Sequence, residues 1–332
     1  MWIPDPSSFQ LVSDRPIYLT FLWLSGLICL AFAYLAQTRM AGSAKAFGLS
    51  VTEAVLGTGL GLLFARGFYG LIRIGYLTKL GDAWQFFSFR NPEELCFFGG
   101  VAGVILAVVI SAYIFRLSPI KVLNHLTPAG ALMIALVRFA EYFLQSEMLG
   151  LGVPTSIGLA EETALAFPWG IAIDWFGDGT YLEYHLAVFM YEGLVALAAM
   201  FFAVFRMKDR DCFIRTLFYI CLAQILLESI RETSIAWLFV KAEQLMCFLY
   251  VEGVLVLYGV RRLREKKWYG ILPPLLGLLA AGVLILVEFA LQNKIEFMKE
   301  LGPAKLYIIM AAALVMLAVV DIVHHLPGKR QE

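Results

Sequence analysis

The chain has 332 residues, 61% of them apolar and 16% charged, and its mean hydropathy is +0.78. Soluble globular proteins are about half apolar and a quarter charged, so the composition excludes an ordinary soluble enzyme and points to an integral membrane protein. The 26 basic and 26 acidic side chains cancel, which removes the electrostatic basis for nucleic-acid binding or for a polybasic peripheral protein.

The opening residues Met1 to Asp5 have no basic n-region and no small-residue cleavage site, so the first apolar run is expected to stay as a membrane helix. About 20 apolar residues cross the hydrocarbon core. Runs near that length extend from Ile17 to Ala36, Val51 to Leu71, Leu95 to Phe115 and Val122 to Leu144. Further runs extend from His185 to Phe205, Phe213 to Ile230, Ile235 to Val260, Ile271 to Leu291 and Tyr307 to Val323. The expected fold is therefore all-α, a polytopic membrane helical bundle of nine transmembrane helices.

Lys and Arg collect in alternate loops, around Arg39 and Lys45, Arg116 and Lys121, Arg206 to Arg210, and Arg261 to Lys267, with Lys329 and Arg330 at the end. The segment from Gln145 to Tyr184 has neither. Because cytoplasmic loops retain basic residues, the N-terminus is expected outside and the C-terminus in the cytoplasm. The basic run Arg261 to Lys267 is the strongest boundary. It suggests a seven-helix membrane domain over 1–264 and two additional helices with a cytoplasmic tail over 265–332. Five scattered cysteines, Cys29, Cys96, Cys212, Cys221 and Cys247, lack metal or disulfide spacing and read as small buried hydrophobes, with no metal and no cofactor expected.

Charges within spans carry the functional signal, since each costs at least ~2.5–3.5 kcal/mol at the bilayer centre. Glu53, Arg66, Arg138, Glu141, Glu192, Glu228, Arg231 and Glu252 fall there or at span ends. Arg138 and Glu141 are three apart on one helix face, as are Glu228 and Arg231. Arg66, Arg231 and Glu252 read equally as structural ion pairs or snorkelling ends. Arg138 lies well inside an apolar run with only Glu141 nearby, and a guanidinium with spare donors suits a phosphate or carboxylate headgroup. The acid-rich loop after it carries Pro168-Trp169-Gly170 among aromatics and glycines, which suits an ordered lid at the outer interface.

Taken in order, these residues resemble prolipoprotein diacylglyceryl transferase, a bacterial membrane enzyme family. Ala65-Arg66-Gly67-Phe68-Tyr69 resembles its arginine-and-tyrosine motif, and Cys96-Phe97-Phe98-Gly99-Gly100 its Ser-Phe-His-Gly-Gly. Val122 to Pro128, with Asn124 where the family has Asp, leads to Arg138, which matches the arginine of Gly-Arg-x-Gly-Asn. Glu147-Met148-Leu149-Gly150, Pro168-Trp169-Gly170, Tyr191-Glu192, Glu228 to Arg231 and Gln244 resemble later motifs. The resemblance covers Pro16 to Arg264.

It implies transfer of a diacylglyceryl group from phosphatidylglycerol, or another anionic phospholipid, to the lipobox cysteine thiol of a prelipoprotein at the bacterial inner (plasma) membrane. Proton transfer would be assisted by a buried carboxylate, Glu141, Glu192 or Glu228, if burial raises its pKa toward neutrality. Substrate binding falls to Arg138, Arg66, Tyr69, Gly99, Gly100, Glu147, Gly150, Tyr191, Arg231 and Gln244. Several positions depart from the family: Phe98 stands for its histidine, Glu141 for its asparagine and Gln224 for an arginine, and Ser25 falls on a tyrosine position. His185 precedes Tyr191 by six residues rather than five, with no proline after it. A catalytically silent relative that binds anionic lipid or a lipoprotein-like partner is the alternative, and a transporter lined by buried charges is a third reading.

Overall fold

The computed structural model describes residues 16–72, 96–147, 155–156, 158–174, 182–232, 236–237, 240–292 and 294–325. Among them, nine helices are long and apolar enough to cross a membrane, as the hydropathy pattern predicts. They are α1 (Pro16–Ala41), α2 (Ser43–Ile72), α3 (Phe97–Ile114), α4 (Pro119–Glu147), α5 (Val188–Arg206), α6 (Cys212–Ile230), α7 (Ala242–Arg264), α8 (Leu272–Leu291) and α9 (Gly302–His325). The chain parts into two compact units, 1–216 with 230–243, and 217–229 with 244–332.

In the first unit, α1 and α2 are separated only by Gly42, at φ +77°. A side chain would be strained there, so glycine makes the tight turn possible. Among the described residues α2 and α3 make the most extensive helix contact, and small residues allow it. A Cβ on Gly99 would fall 2.7 Å from the Phe64 carbonyl oxygen and 2.8 Å from Phe68 Cβ. A Cβ on Gly103 would run into the backbone of Leu60. In lipid, helices associate through such close packing rather than through the hydrophobic effect. The Cys96 N–H, just ahead of α3, donates to the Ala65 carbonyl across the same contact at 3.0 Å.

α4 contains Pro128, and the same helix carries a latch near its start. Asn124 donates through Nδ2 to the carbonyls of Asp209 and Arg210 at 3.1 and 3.0 Å, and its Oδ1 accepts from the Phe213 N–H at 2.9 Å. The first N–H groups of a helix have no partner within it, so Asn124 serves the α6 start from a neighbouring element. This amide both donates and accepts, which an aspartate carboxylate at the same place could not do.

Between α4 and α5 lies a short antiparallel hairpin, β1 (Gly170–Asp174) and β2 (Leu182–Leu186), with Ile171 opposite His185 and Ala172 opposite Tyr184. Ser156 and Leu159 extend it along the far side of β2, where their N–H groups donate to the Leu186 and Tyr184 carbonyls. Strand side chains alternate between faces. Ile171 and Ile173 accordingly pack inward with Ala187 and Phe189, against Tyr18 of α1 and Met190. The Phe167–Pro168 bond is cis. His185, expected at the start of a span, lies in β2, so α5 begins only at Val188. The apolar run from Ile235 likewise does not start a helix: β3 (Ala236–Trp237) pairs with β4 (Val240–Lys241), and α7 begins at Ala242. Both corrections have one cause, since a short apolar run has the same composition as strand or as helix.

In the second unit, α8 packs on α9. Leu306, Met310, Leu314, Leu317 and Asp321 form the buried stripe of α9, spaced at three to four residues as one helix face requires. The Asp321 carboxylate accepts from Tyr219 Oη at 2.5 Å and Tyr258 Oη at 2.6 Å. His325 Nδ1 lies 3.3 Å from it. Ser229 Oγ donates to Glu288 Oε2 at 2.8 Å.

Candidate functional site

Arg138 is the centre of the charged groups in the first unit. Helical spacing puts Glu141 one turn away, and Arg138 Nη1 donates to Glu141 Oε1 at 2.7 Å. The second partner comes from another helix, with Nε 3.0 Å from Glu192 Oε2. Gly193 next to it is what lets α5 come so close: a Cβ there would fall 2.7 Å from Phe139 Cδ1, beside Arg138 on α4. The side chains of Arg138, Glu141 and Glu192 are only 11%, 13% and 2% exposed.

The guanidinium also lies over the Phe97 ring, 5.3 Å from its centroid, an arrangement worth ~0.5–2 kcal/mol. Phe97 opens α3, and its N–H donates to Glu243 Oε1 at 3.2 Å, so Glu243 serves an orphan donor of the first turn. Glu243 Oε2 in turn lies 3.7 Å from Arg231 Nη1. Arg138 is within electrostatic reach of Glu141, Glu192 and Glu243, and Glu141 within reach of Arg231. Two cations and three carboxylates therefore gather around Phe97. Tyr18 of α1 feels the charge of both Glu141 and Arg138.

The arrangement leaves capacity for a ligand. Nη1 and Nε of Arg138 are directed to carboxylates, while Nη2 has no hydrogen-bond partner among the described residues. Glu141 Oε2 is buried and also lacks one among the described residues. A planar guanidinium offers its remaining donors in a fixed fork that matches a phosphate.

The hairpin stands beside this group. Phe167 meets Tyr142 of α4, with ring centroids 4.7 Å apart, and Trp169 meets Tyr191 of α5 at 5.8 Å. Phe167, Trp169, Leu165 and Leu182 are nevertheless about half exposed, so apolar rings rim the loop next to Arg138.

The remaining candidates fall in different places. Arg66 and Tyr69 are buried on α2 and partnered. Gly99 lies in the α2–α3 contact, and the Gly100 Cβ position is 3.7 Å from Ala65 Cβ and the Gly61 carbonyl, so close helix packing accounts for both glycines. Glu228 and Gln244 belong to the second unit. There Gln224 Nε2 donates to Glu228 Oε2 at 3.4 Å, and Gln244 Nε2 donates to the Ile225 carbonyl at 3.2 Å. Glu147 ends α4, but its side chain, like the whole of Gly150, lies outside the described residues. Sequence reasoning missed Glu243 and Tyr18. Glu243 is adjacent to the candidate Gln244 and opens a helix, a position where an acid is favoured, and that was the available signal.

A family model described as prolipoprotein diacylglyceryl transferase matches residues 17–260. No curated protein matches the chain.

Proposed function

The chain belongs to the prolipoprotein diacylglyceryl transferase family, and from that premise we propose that it moves a diacylglyceryl group from phosphatidylglycerol, or another anionic phospholipid, to the lipobox cysteine thiol of a prelipoprotein. Membership makes it a multi-pass membrane protein of a transferase family. The finer reading places it in the bacterial plasma membrane with the N-terminus outside and the C-terminus in the cytoplasm. Residues 1–264 then form the transferase-like part, and the two helices of 265–332 are an addition beyond the matched residues.

In the reaction, the thiol sulfur attacks a glyceryl carbon, the bond from that carbon to the phosphate oxygen breaks, and glycerol phosphate leaves. Charge develops on the departing phosphate. A preorganised cation in a site of low dielectric stabilises it best. Arg138 has the donors for this, and the observation that carries the proposal is its Nη2, left without a partner among the described residues while Nη1 and Nε are directed to Glu141 and Glu192. Glu141 and Glu192 are assigned assistance in proton transfer, Glu141 through its open Oε2. Arg231 with Glu243 lies beside Phe97 and adds a second cation near the leaving group. Tyr191 and the hairpin aromatics give the acyl chains and the acceptor peptide an apolar rim.

Purified protein supplied with labelled phosphatidylglycerol and a lipobox peptide tests this. Transfer is expected, and Arg138→Ala should reduce it at least ~100-fold, the scale for losing one donor to a developing oxyanion. Phe98 stands at the family's histidine position and favours one competing reading, a silent relative. Saturable binding of phosphatidylglycerol vesicles with no transfer would establish that reading and end the transferase one.

A further inference from the structure

The first unit also holds one buried histidine. His185 is 2% exposed and lies opposite Ile171 in the hairpin. Residues directly opposite share a face of a sheet, so its ring is on the inward face, where Ile171 and Ile173 pack against Tyr18. Its Nδ1 is 2.6 Å from the Ser156 carbonyl oxygen. A carbonyl only accepts, so Nδ1 carries the proton and, in the neutral ring, the lone pair is on Nε2. That Nε2 is buried and has no hydrogen-bond partner among the described residues.

The clamp that fixes the tautomer is itself braced. Ser156 Oγ accepts from the Leu186 N–H at 2.8 Å, and the Ser156 N–H donates to the Leu186 carbonyl at 3.2 Å. On its other side Ser156 forms a β-bridge with Arg231, whose side chain pairs with Glu243 beside Phe97. Along the chain, β2 passes through Ala187 into α5, which brings Glu192 to Arg138. The imidazole is thus joined from both directions to the elements that hold Arg138. Glu183 Oε2 lies 3.7 Å from Nε2, and Glu232 Oε2 lies 4.0 Å from Nδ1. Two carboxylates therefore stand ready to stabilise the ring once it gains a proton.

We infer that His185 Nε2 accepts the proton of the attacking thiol, an inference that rests on the transferase reading above. As the sulfur–carbon bond forms, the S–H proton passes to Nε2. The electron pair of the breaking carbon–oxygen bond stays on the phosphate oxygen, and the imidazolium returns its proton to that leaving group or to water. A neutral imidazole suits the step better than Glu141 or Glu192, each of which lies against the Arg138 cation. General-base assistance of this kind is worth ~10²–10⁴-fold.

Two measurements on the full chain in detergent test it. His185→Asn keeps an N–H near the position of Nδ1, so the Ser156 clamp and the fold are retained while the acceptor nitrogen is removed. It should lower kcat ~100-fold or more and leave KM for phosphatidylglycerol unchanged. Nitrogen-15 NMR of labelled histidines, with His185 identified by its loss in the variant, should show the Nε2 signal move when phosphatidylglycerol and a cysteine-containing lipobox peptide are added. The same peptide with alanine for cysteine should leave it in place. Wild-type kcat in His185→Asn, or an Nε2 signal indifferent to the cysteine, overturns the role of His185 while transfer by the wild type still upholds the transferase reading. A cysteine-dependent shift without any turnover does the reverse: the thiol contact stands and the transferase reading falls.

Discussion

Arg138 in α4 and Asp321 in α9 are both ionisable residues inside spanning helices, and each is ringed by polar groups from other helices. Asp321 is fully buried, and its partners are hydroxyls and an imidazole: Tyr219 on one oxygen, Tyr258 on the other, His325 at 3.3 Å. Tyr258 also stacks on His324, with centroids 4.1 Å apart and planes 11° off parallel. Each carboxylate oxygen accepts from a tyrosine hydroxyl that has its own place in the packing. Arg138 is met by formal opposite charges, Glu141 and Glu192, that use only part of its donor set. The first arrangement is a latch that holds three helices of the second unit together. The second neutralises a buried cation and leaves part of its hydrogen-bonding capacity unused among the described residues. Burial of a charge is thus insufficient to mark a ligand site; unused hydrogen-bonding capacity beside it is the distinguishing feature.

That contrast can be broken at either end. Asp321→Ala should remove the acceptor that the Tyr219 and Tyr258 hydroxyls share in the interior and cost about 2–5 kcal/mol of stability, read from denaturant unfolding in detergent. Lipid affinity and transfer measured below the transition should not change. Loss of transfer at full stability would make Asp321 part of the reaction and erase the distinction. Next in size, Glu192→Gln removes one of the two charges that neutralise Arg138 while keeping a group of similar shape. Binding of phosphatidylglycerol vesicles should tighten about tenfold, or ~1.4 kcal/mol, and unchanged or weaker binding would mean that Arg138 does not meet the headgroup. The smallest effect is expected for Phe97→Leu, which removes the ring beneath the guanidinium and should weaken lipid binding by ~0.5–1 kcal/mol. A change of several kcal/mol there would shift the weight of the site from Arg138 to the α3 start.

Part of this was legible in the residues. The Arg138–Glu141 pair follows from a spacing of three on a helix, and the structure shows the bond. The nine spans follow from run length and hydropathy and are matched by nine helices among the described residues. Asp321 was less legible, because an acid near a helix end resembles an ordinary interfacial residue until Tyr219 and Tyr258 are placed against it. Gly193 and Gly103 gave no sign of which neighbour they admit, since a glycine has no side chain to encode one. The hairpin from Ala236 to Lys241 was hidden in an apolar run that fits helix equally well.

The sequence by itself determined the solvent, the number of helices and the charges that had to be explained, because hydropathy and helical spacing are local properties of the chain. Tertiary structure alone decided that Glu192 and not another acid reaches Arg138, that Glu243 takes the Phe97 N–H, and that Ser156 sets the tautomer of His185. Each of those choices depends on how one element is rotated against another. That rotation is set by where small residues let the backbones approach, and no spacing within a single helix specifies it.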